Sequence, residues 1–298
     1  LGTARVCVYS KRDSNIQKFS NLAGPMAGRV SVVLVVFNRL PLTRACIESL
    51  GLTTAPFDLV VVDNGSTDGT GEFFQKFSLT IPLTYHRNSE NLGLIRALNQ
   101  GWRLADGEFV CFLHNDTEMR EPTWLERLSA ALDDDPSVGL AGLYGVRRLR
   151  KDGRYVGRTI VHCLVERPTL NGARVEVAAV DGVCLFLRRE LLATLAGFDE
   201  RYGFFHGYDR DLSLKVREAG RRCVVVNAPF VHVGGGTRTS SEAPVPLADD
   251  LAQRREALAR FARRWSHRLP LDVRGVAERF TDWLPLHRDR KPHGASSS

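Results

Sequence analysis

The sequence predicts an α/β fold, a mostly parallel sheet flanked by helices with a C-terminal helical extension. Three observations predict it. Runs that are largely apolar, "VSVVLVVF" (30–37), "FDLVVVD" (57–63) and "EFVCFL" (108–113), read as strands buried on both faces. Helical segments separate the runs, and such alternation gives parallel strands joined by right-handed crossovers. Polar clusters follow the strands in register: Asn38, "DNGSTDG", "HRNSENLG" and "HNDT". Ligands of parallel sheets bind outside the carboxyl ends of the strands, so four such clusters outline one crevice. Any one of them alone reads equally well as turn residues.

Residues 1–29 are mixed in character and read as an N-terminal arm. After the strand at 30–37, "PLTRACIESL" (41–50) opens with Pro, which suits a helix start. The strand at 57–63 leads to a short helix within "TDGTGEFFQKF", and "LTYHR" (83–87) is the third strand. Residues 91–105 carry Leu94, Ala97, Leu98, Trp102 and Leu104 near helical spacing. The fourth strand precedes a helix at 122–132. Residues 145–178 suggest strands at the edge of the sheet, and 178–200 a strand then a short helix. The helix at 206–220 ends on Gly220, a C-cap signal. Residues 222–236 are a strand and loop. An amphipathic helix at 247–269 places Leu247, Leu251, Leu258, Phe261 and Trp265 on one face, which with Trp102 reads as packing.

The 298 residues carry a formal net charge of +7, which suits nucleic acid, anionic lipid, a phosphorylated substrate or a merely solvated basic face. No zinc-finger spacing or aromatic–basic interleave accompanies the charge, so nucleic acid is not an expected partner. The cysteines lie mostly in apolar runs without a CxxC pair and read as reduced core residues. No run of roughly 18 apolar residues and no secretory signal is legible. A cytoplasmic location is expected, with membrane contact peripheral at most. A homodimer is left open.

Asp63 closes a buried strand, where a carboxylate can accept hydrogen bonds from a base N–H or a ribose hydroxyl. "FNRLPLTR" after the first strand has no glycine, so no Gly-rich phosphate cradle exists there, and no Walker motif occurs. A divalent cation held by a carboxylate is the usual substitute. Asp116, at the mouth of the fourth strand, suits Mg²⁺ or Mn²⁺ together with phosphate oxygens and water. The alternative is that Asp116 caps the helix that follows.

The order "VSVVLVVFN", "LVVVDNGSTDGT", "NSENLGLIRALNQG", "FVCFLHNDTEM" and "GVCLFLRRELLATLAGFDERYGFFHGYDRDLSLKVREAG" resembles the family 2 glycosyltransferases with the GT-A fold, in particular inverting, rhamnosyltransferase-like members. The resemblance covers roughly residues 30 to 236. It implies a GT-A catalytic domain over 30–240, divided into a nucleotide-sugar half (30–145) and an acceptor half (146–240), with a helical extension and tail over 241–298. It implies a nucleotide-diphosphate sugar donor, Mn²⁺ or Mg²⁺, and inversion at the anomeric carbon.

Carried onto this sequence, the resemblance implies donor binding by Phe37, Asn38, Asp63, Asn64, Asn91, Gly93 and Asn115. "HND" at 114–116 stands where the family has Asp-x-Asp, which leaves Asp116 as the metal carboxylate. His232 matches a histidine that completes the metal site in some relatives; the alternative is a core histidine. In "GYDRD" the family's Glu position is Tyr208, Asp209 takes the catalytic-base position and Asp211 is the second choice. Both acids also read as helix N-terminal charges, and their two-residue gap puts them on different faces. Asp181 and Asp211 are expected on the acceptor side. A loop at 234–245 is expected to close over the donor. The acceptor is a glycan, a lipid-linked glycan or a natural product. The rival readings are a non-catalytic nucleotide- or sugar-binding module, which would dispense with Asp209, and a nucleotidyltransferase, which normally needs the missing Gly-rich loop.

Overall fold

The computed structural model describes residues 7–8, 16–19, 28–77, 81–156, 172–234 and 245–281. The strands are β1 Cys7–Val8, β2 Ile16–Phe19, β3 Val30–Val36, β4 Phe57–Asp63, β5 Leu83–Arg87, β6 Phe109–His114, β7 Thr117–Met119, β8 Val138–Gly142, β9 Gly145–Val146, β10 Arg148–Leu149, β11 Arg174–Val177, β12 Ala179–Val180, β13 Cys184–Arg188, β14 Arg222–Val226, β15 Phe230–His232 and β16 Leu271–Asp272. The helices are α1 Leu40–Leu50, α2 Thr70–Lys76, α3 Leu94–Leu104, α4 Trp124–Asp133, α5 Arg189–Thr194, α6 Tyr208–Glu218, α7 Leu247–Arg264 and α8 Val276–Thr281.

The main sheet runs in the order β1-β2-β5-β4-β3-β6-β13-β8-β14-β11. Its centre, β5-β4-β3-β6, is parallel, as the apolar runs predict. The sheet as a whole is mixed, because β13 runs antiparallel to both β6 and β8. The expected N-terminal arm contributes β1 and β2, which extend the β5 edge antiparallel. Helices cover both faces of a parallel sheet, so its strands are apolar on each side. Val32, Val33, Phe112 and Phe186 are all at most 1% exposed, and burial of each such side chain stabilises the fold by about 1.5–3 kcal/mol. On α3, Gly101 lets the helix settle onto β3, since a Cβ there would collide with Val33.

At the C-terminus, α7 buries Ala257 and Phe261 and Trp265 follows them into the core, but Leu247 and Leu251 are 64% and 42% exposed. The apolar face expected over the whole helix therefore packs only over its second half. The first half is anchored by a polar contact instead, Asp250 Oδ1 to His206 Nε2 at 2.7 Å. Trp102 packs against the core as expected. Among the described residues, Cys46, Cys111, Cys184 and Cys223 are buried free thiols, and no helix is long and apolar enough to cross a membrane.

Candidate active site

A cavity of about 380 Å³ opens at the carboxyl ends of β3 and β6. His114 ends β6, and Asp116 stands in the turn that follows. The antiparallel pair β7–β15 sets His232 opposite Thr117, and Val233 N–H donates to the Asp116 carbonyl at 3.0 Å. Two strands distant in sequence thus bring three side chains together. His232 Nε2 lies 3.1 Å from Asp116 Oδ1, and His114 Nδ1 lies 4.0 Å from the same oxygen. One ligand atom from each of the three falls within 4.8 Å of the others.

The electrostatics suit a cation. Burial would raise the Asp116 pKa, but the His232 hydrogen bond and the two imidazoles outweigh it and hold the carboxyl below its usual range. Burial lowers His114, which favours the neutral, ligating imidazole. For His232 burial acts downward too, but the Asp116 hydrogen bond and charge overcome it and raise the pKa. Two imidazoles and an ionised carboxylate converging on one point form a donor set that fits a divalent transition-metal ion.

A second group of residues lines the same cavity. Helix α6 starts after Gly207, whose φ of 84° is left-handed, and presents Asp209 to the cavity. Asp209 accepts from Tyr155 Oη at 3.2 Å and from the Arg210 backbone N–H at 2.8 Å. The Arg210 guanidinium stacks on the Tyr155 ring at 4.3 Å. Asp181 also lines the cavity and accepts from Val183 N–H at 3.1 Å. Burial, and then the nearby Asp209 charge, push its pKa up to about 7.

Of the expected donor residues, Phe37, Asn64, Asn91 and Asn115 line the cavity. Asn64 Nδ2 donates to Asn91 Oδ1 at 2.8 Å and to the Gly93 carbonyl at 3.3 Å. Asn64 Oδ1 accepts from Leu92 N–H at 3.0 Å. This knot ties the loops after β4 and β5 together. Gly93, at φ 87°, supports the knot from behind the lining, and a Cβ there would meet Phe204 at 2.8 Å.

Three of the expected site residues lie outside this lining. Asp63 does not reach the cavity; it is wholly buried and accepts from Tyr85 Oη at 2.6 Å and Ser66 N–H at 2.8 Å. Its carboxylate is used up in shaping the loop that follows β4. Asn38 is likewise outside the lining: its backbone is left-handed at φ 52° and its side-chain oxygen accepts from Thr67 N–H at 2.7 Å. Asp211, expected on the acceptor side, is turned away into the packing of α7, where Tyr202 Oη and Trp265 Nε1 donate to it at 2.9 and 2.8 Å. Of the closing loop expected at 234–245, residues 235–244 lie outside the described residues.

Among the lining residues that sequence reasoning missed are His114, Tyr155, Arg210 and Arg254. His114 counts there as a lost acid, although its own imidazole joins the cluster. Tyr155 lies in a stretch whose pattern gives no hint of a site, and Arg210 sits inside "GYDRD" but is not singled out there beside the two acids. Arg254, on α7, reaches the cavity although its helix reads as packing.

The mostly parallel sheet and the crevice at its strand ends are those of the GT-A glycosyltransferases. A mannosyltransferase from Pyrobaculum calidifontis, solved in complex with GDP-Man and Mn²⁺, shares this fold with a TM-score of 0.50 and 22% identity, over 70% of this chain and 60% of that one. Residues 31–195, more than half of the chain, match the family described as Glycosyl transferase family 2. The chain belongs to glycosyl transferase family 2, whose members transfer sugars. A PGL/p-HBAD biosynthesis glycosyltransferase of Mycobacterium tuberculosis is 28% identical over 225 residues, 73% of this chain and 81% of that protein. An uncharacterized protein of Sinorhizobium fredii is 29% identical over 260 residues, covering 81% of this chain but only 28% of that longer protein.

Proposed function

We propose that the chain is an inverting glycosyltransferase that moves a sugar from a nucleotide-diphosphate sugar to an acceptor hydroxyl with the help of a divalent cation. One observation carries this reading: a cation-type cluster and the Asp209 carboxylate share a single cavity. The GDP-Man and Mn²⁺ of the Pyrobaculum neighbour support a nucleotide-sugar donor and Mn²⁺ or Mg²⁺ as the ion. The donor is held mainly by residues 30–145, with Asn91 and Asn115 offering amide groups to it, Phe37 an apolar wall, and Asn64 fixing the loops behind them. The acceptor, a glycan, a lipid-linked glycan or a natural product, enters beside residues of 146–240, with Asp181 as a contact.

Asp116 and His232 would hold the cation, which when bound neutralises charge on the departing diphosphate. Asp209 takes the proton from the acceptor hydroxyl as that oxygen attacks the anomeric carbon. The bond to the diphosphate oxygen breaks on the opposite face, so the new glycosidic bond has inverted configuration. Tyr155 and Arg210 hold the Asp209 carboxylate in place for this step.

The reading is tested with a panel of nucleotide sugars, incubated with Mn²⁺ or Mg²⁺ and with EDTA, scored for released nucleoside diphosphate. One donor is expected to turn over slowly, with loss on EDTA and in Asp116→Ala and Asp209→Asn. A folded protein that turns over no donor would refute it, and turnover undiminished in Asp209→Asn would remove the base assignment.

A further inference from the structure

Building on the metal-assisted reading above, we propose that His114 is a third ligand of the cation site, that Tyr208 is its positioning residue, and that the resulting set of two imidazoles and one carboxylate selects a transition-metal ion over Mg²⁺.

The two nitrogens of His114 face different partners. Nδ1 looks toward Asp116 Oδ1 at 4.0 Å, on the side where His232 also converges. Nε2 lies 3.1 Å from Tyr208 Oη. A ligating imidazole almost always gives its other N–H to a fixed acceptor, which sets the tautomer and the ring orientation. Tyr208 Oη meets that description. With Nε2 carrying the proton and donating to Tyr208, the Nδ1 lone pair is free for an ion.

Tyr208 is itself held. It is 6% exposed, and its ring packs edge-on against Phe198 with centroids 5.7 Å apart. Its hydroxyl rests on Gly182, where any Cβ would collide with it. The backbone around Gly182 is tied to the same strand end, because His114 N–H donates to the Val183 carbonyl at 3.0 Å. Gly182, Tyr208 and His114 therefore form one unit, and the hydroxyl has no room to retreat from Nε2.

The selectivity follows from the donor atoms. Mg²⁺ takes oxygen ligands and keeps much of its water. Imidazole suits later transition ions, and affinity at a mixed nitrogen–oxygen site rises from Mn²⁺ toward Co²⁺. A site with two imidazoles and one carboxylate should rank Co²⁺ above Mn²⁺ and both above Mg²⁺.

The test uses the full chain stripped with EDTA, titrated calorimetrically with Mg²⁺, Mn²⁺ and Co²⁺. Electron spin-echo spectroscopy of the Mn²⁺ form counts coordinated imidazoles, and thermal melts of the metal-free proteins report folding. The wild type should show two imidazoles and bind Co²⁺ and Mn²⁺ at least about tenfold tighter than Mg²⁺. His114→Ala should lose one imidazole signal. Tyr208→Phe should keep both signals but weaken Co²⁺ binding about 10–100-fold. His114→Asp should narrow the gap between Co²⁺ and Mg²⁺, a change that a merely structural role would not produce. Equal affinity for Mg²⁺ and Mn²⁺ in the wild type, or two imidazole signals in His114→Ala, would overturn the proposal. If nucleotide-sugar turnover then persists, the transferase reading survives that failure. A folded chain that binds neither ion nor nucleotide sugar loses both.

Discussion

Asp209 and Asp211 stand two residues apart in the first turn of α6 and face opposite ways. Two residues advance about 200° around a helix, so one carboxylate meets the cavity and the other the core. The side chain of Asp211 is 1% exposed, with Arg264 at 3.4 Å and Lys215 at 3.9 Å beyond its two hydrogen-bond donors. Removing one partner of a buried charge network costs about 3–5 kcal/mol. Asp211→Ala should therefore lower stability by roughly that amount in urea titrations, while its folded fraction keeps normal turnover per molecule. Asp209→Asn should lower kcat by about 10²–10⁴ with little change in melting temperature. The reverse pattern would mean that the base has been placed on the wrong acid.

Asp181 should make the metal-free protein less stable as pH rises from acid to neutral. Its folded pKa, raised to about 7 from an ordinary 3.8, means that the folded chain keeps a proton the unfolded chain has already lost in that window. Stability then falls with rising pH between the two values and levels off above the folded one. Asp181→Asn removes the titration and can still accept from Val183 N–H. In EDTA it should match the wild type near the ordinary carboxylate pKa and exceed it at alkaline pH, by on the order of 1–3 kcal/mol. Parallel curves of stability against pH for the two proteins would contradict this.

The central parallel strands are legible because every residue of Val30–Val36 and Phe57–Asp63 but Ser31, Asp58 and Asp63 is apolar, and such runs fit only a sheet covered on both faces. That same uniformity hides direction. "CLFLR" has no alternating face, so nothing in it announces that β13 runs antiparallel. Asp63 is legible as a strand-end carboxylate, but not the Tyr85 hydroxyl that claims it from the next strand. Leu247 and Leu251 are legible as one face of a helix, but how far the body extends beneath them is a tertiary fact. Tyr208 reads only as a missing acid, because its contact with His114 spans 94 positions of sequence. Residue type thus marks where polar groups gather, and tertiary contact decides which of them remain free.

Tyr85→Phe should loosen the donor side without touching the base. Burial, and then the hydrogen bond to Asp63, raise the Tyr85 pKa far above its ordinary value, so the hydroxyl stays a donor. Its loss leaves one oxygen of a wholly buried carboxylate with only Arg87 Nη1, at 3.5 Å. An unsatisfied buried group costs about 1–3 kcal/mol, which denaturant unfolding would register. Because Asp63 also accepts from Ser66 N–H, the loop leading to Gly69 should become less ordered. KM for the nucleotide sugar should rise several-fold while kcat stays near wild type. A fall in kcat at unchanged KM would count against a role confined to the donor loop.

His232 should reverse the pH dependence of stability according to whether an ion is present. Without an ion, its pKa is raised above 6.5, since the Asp116 contacts outweigh burial. A raised histidine contributes stability that is complete below its unfolded pKa and is lost as pH rises through the folded one. An ion needs the same imidazole deprotonated, so protons compete with it and its benefit grows as pH rises through the folded pKa. A free ion at 100 times its Kd should add about 2.7 kcal/mol. Melts in EDTA should therefore show the His232 contribution declining from mildly acidic to alkaline pH, and melts with saturating Mn²⁺ should show the ion's increment growing over the same range. His232→Ala should flatten both trends and remove most of the increment. A Mn²⁺ increment that survives His232→Ala at alkaline pH would mean that the ion binds elsewhere.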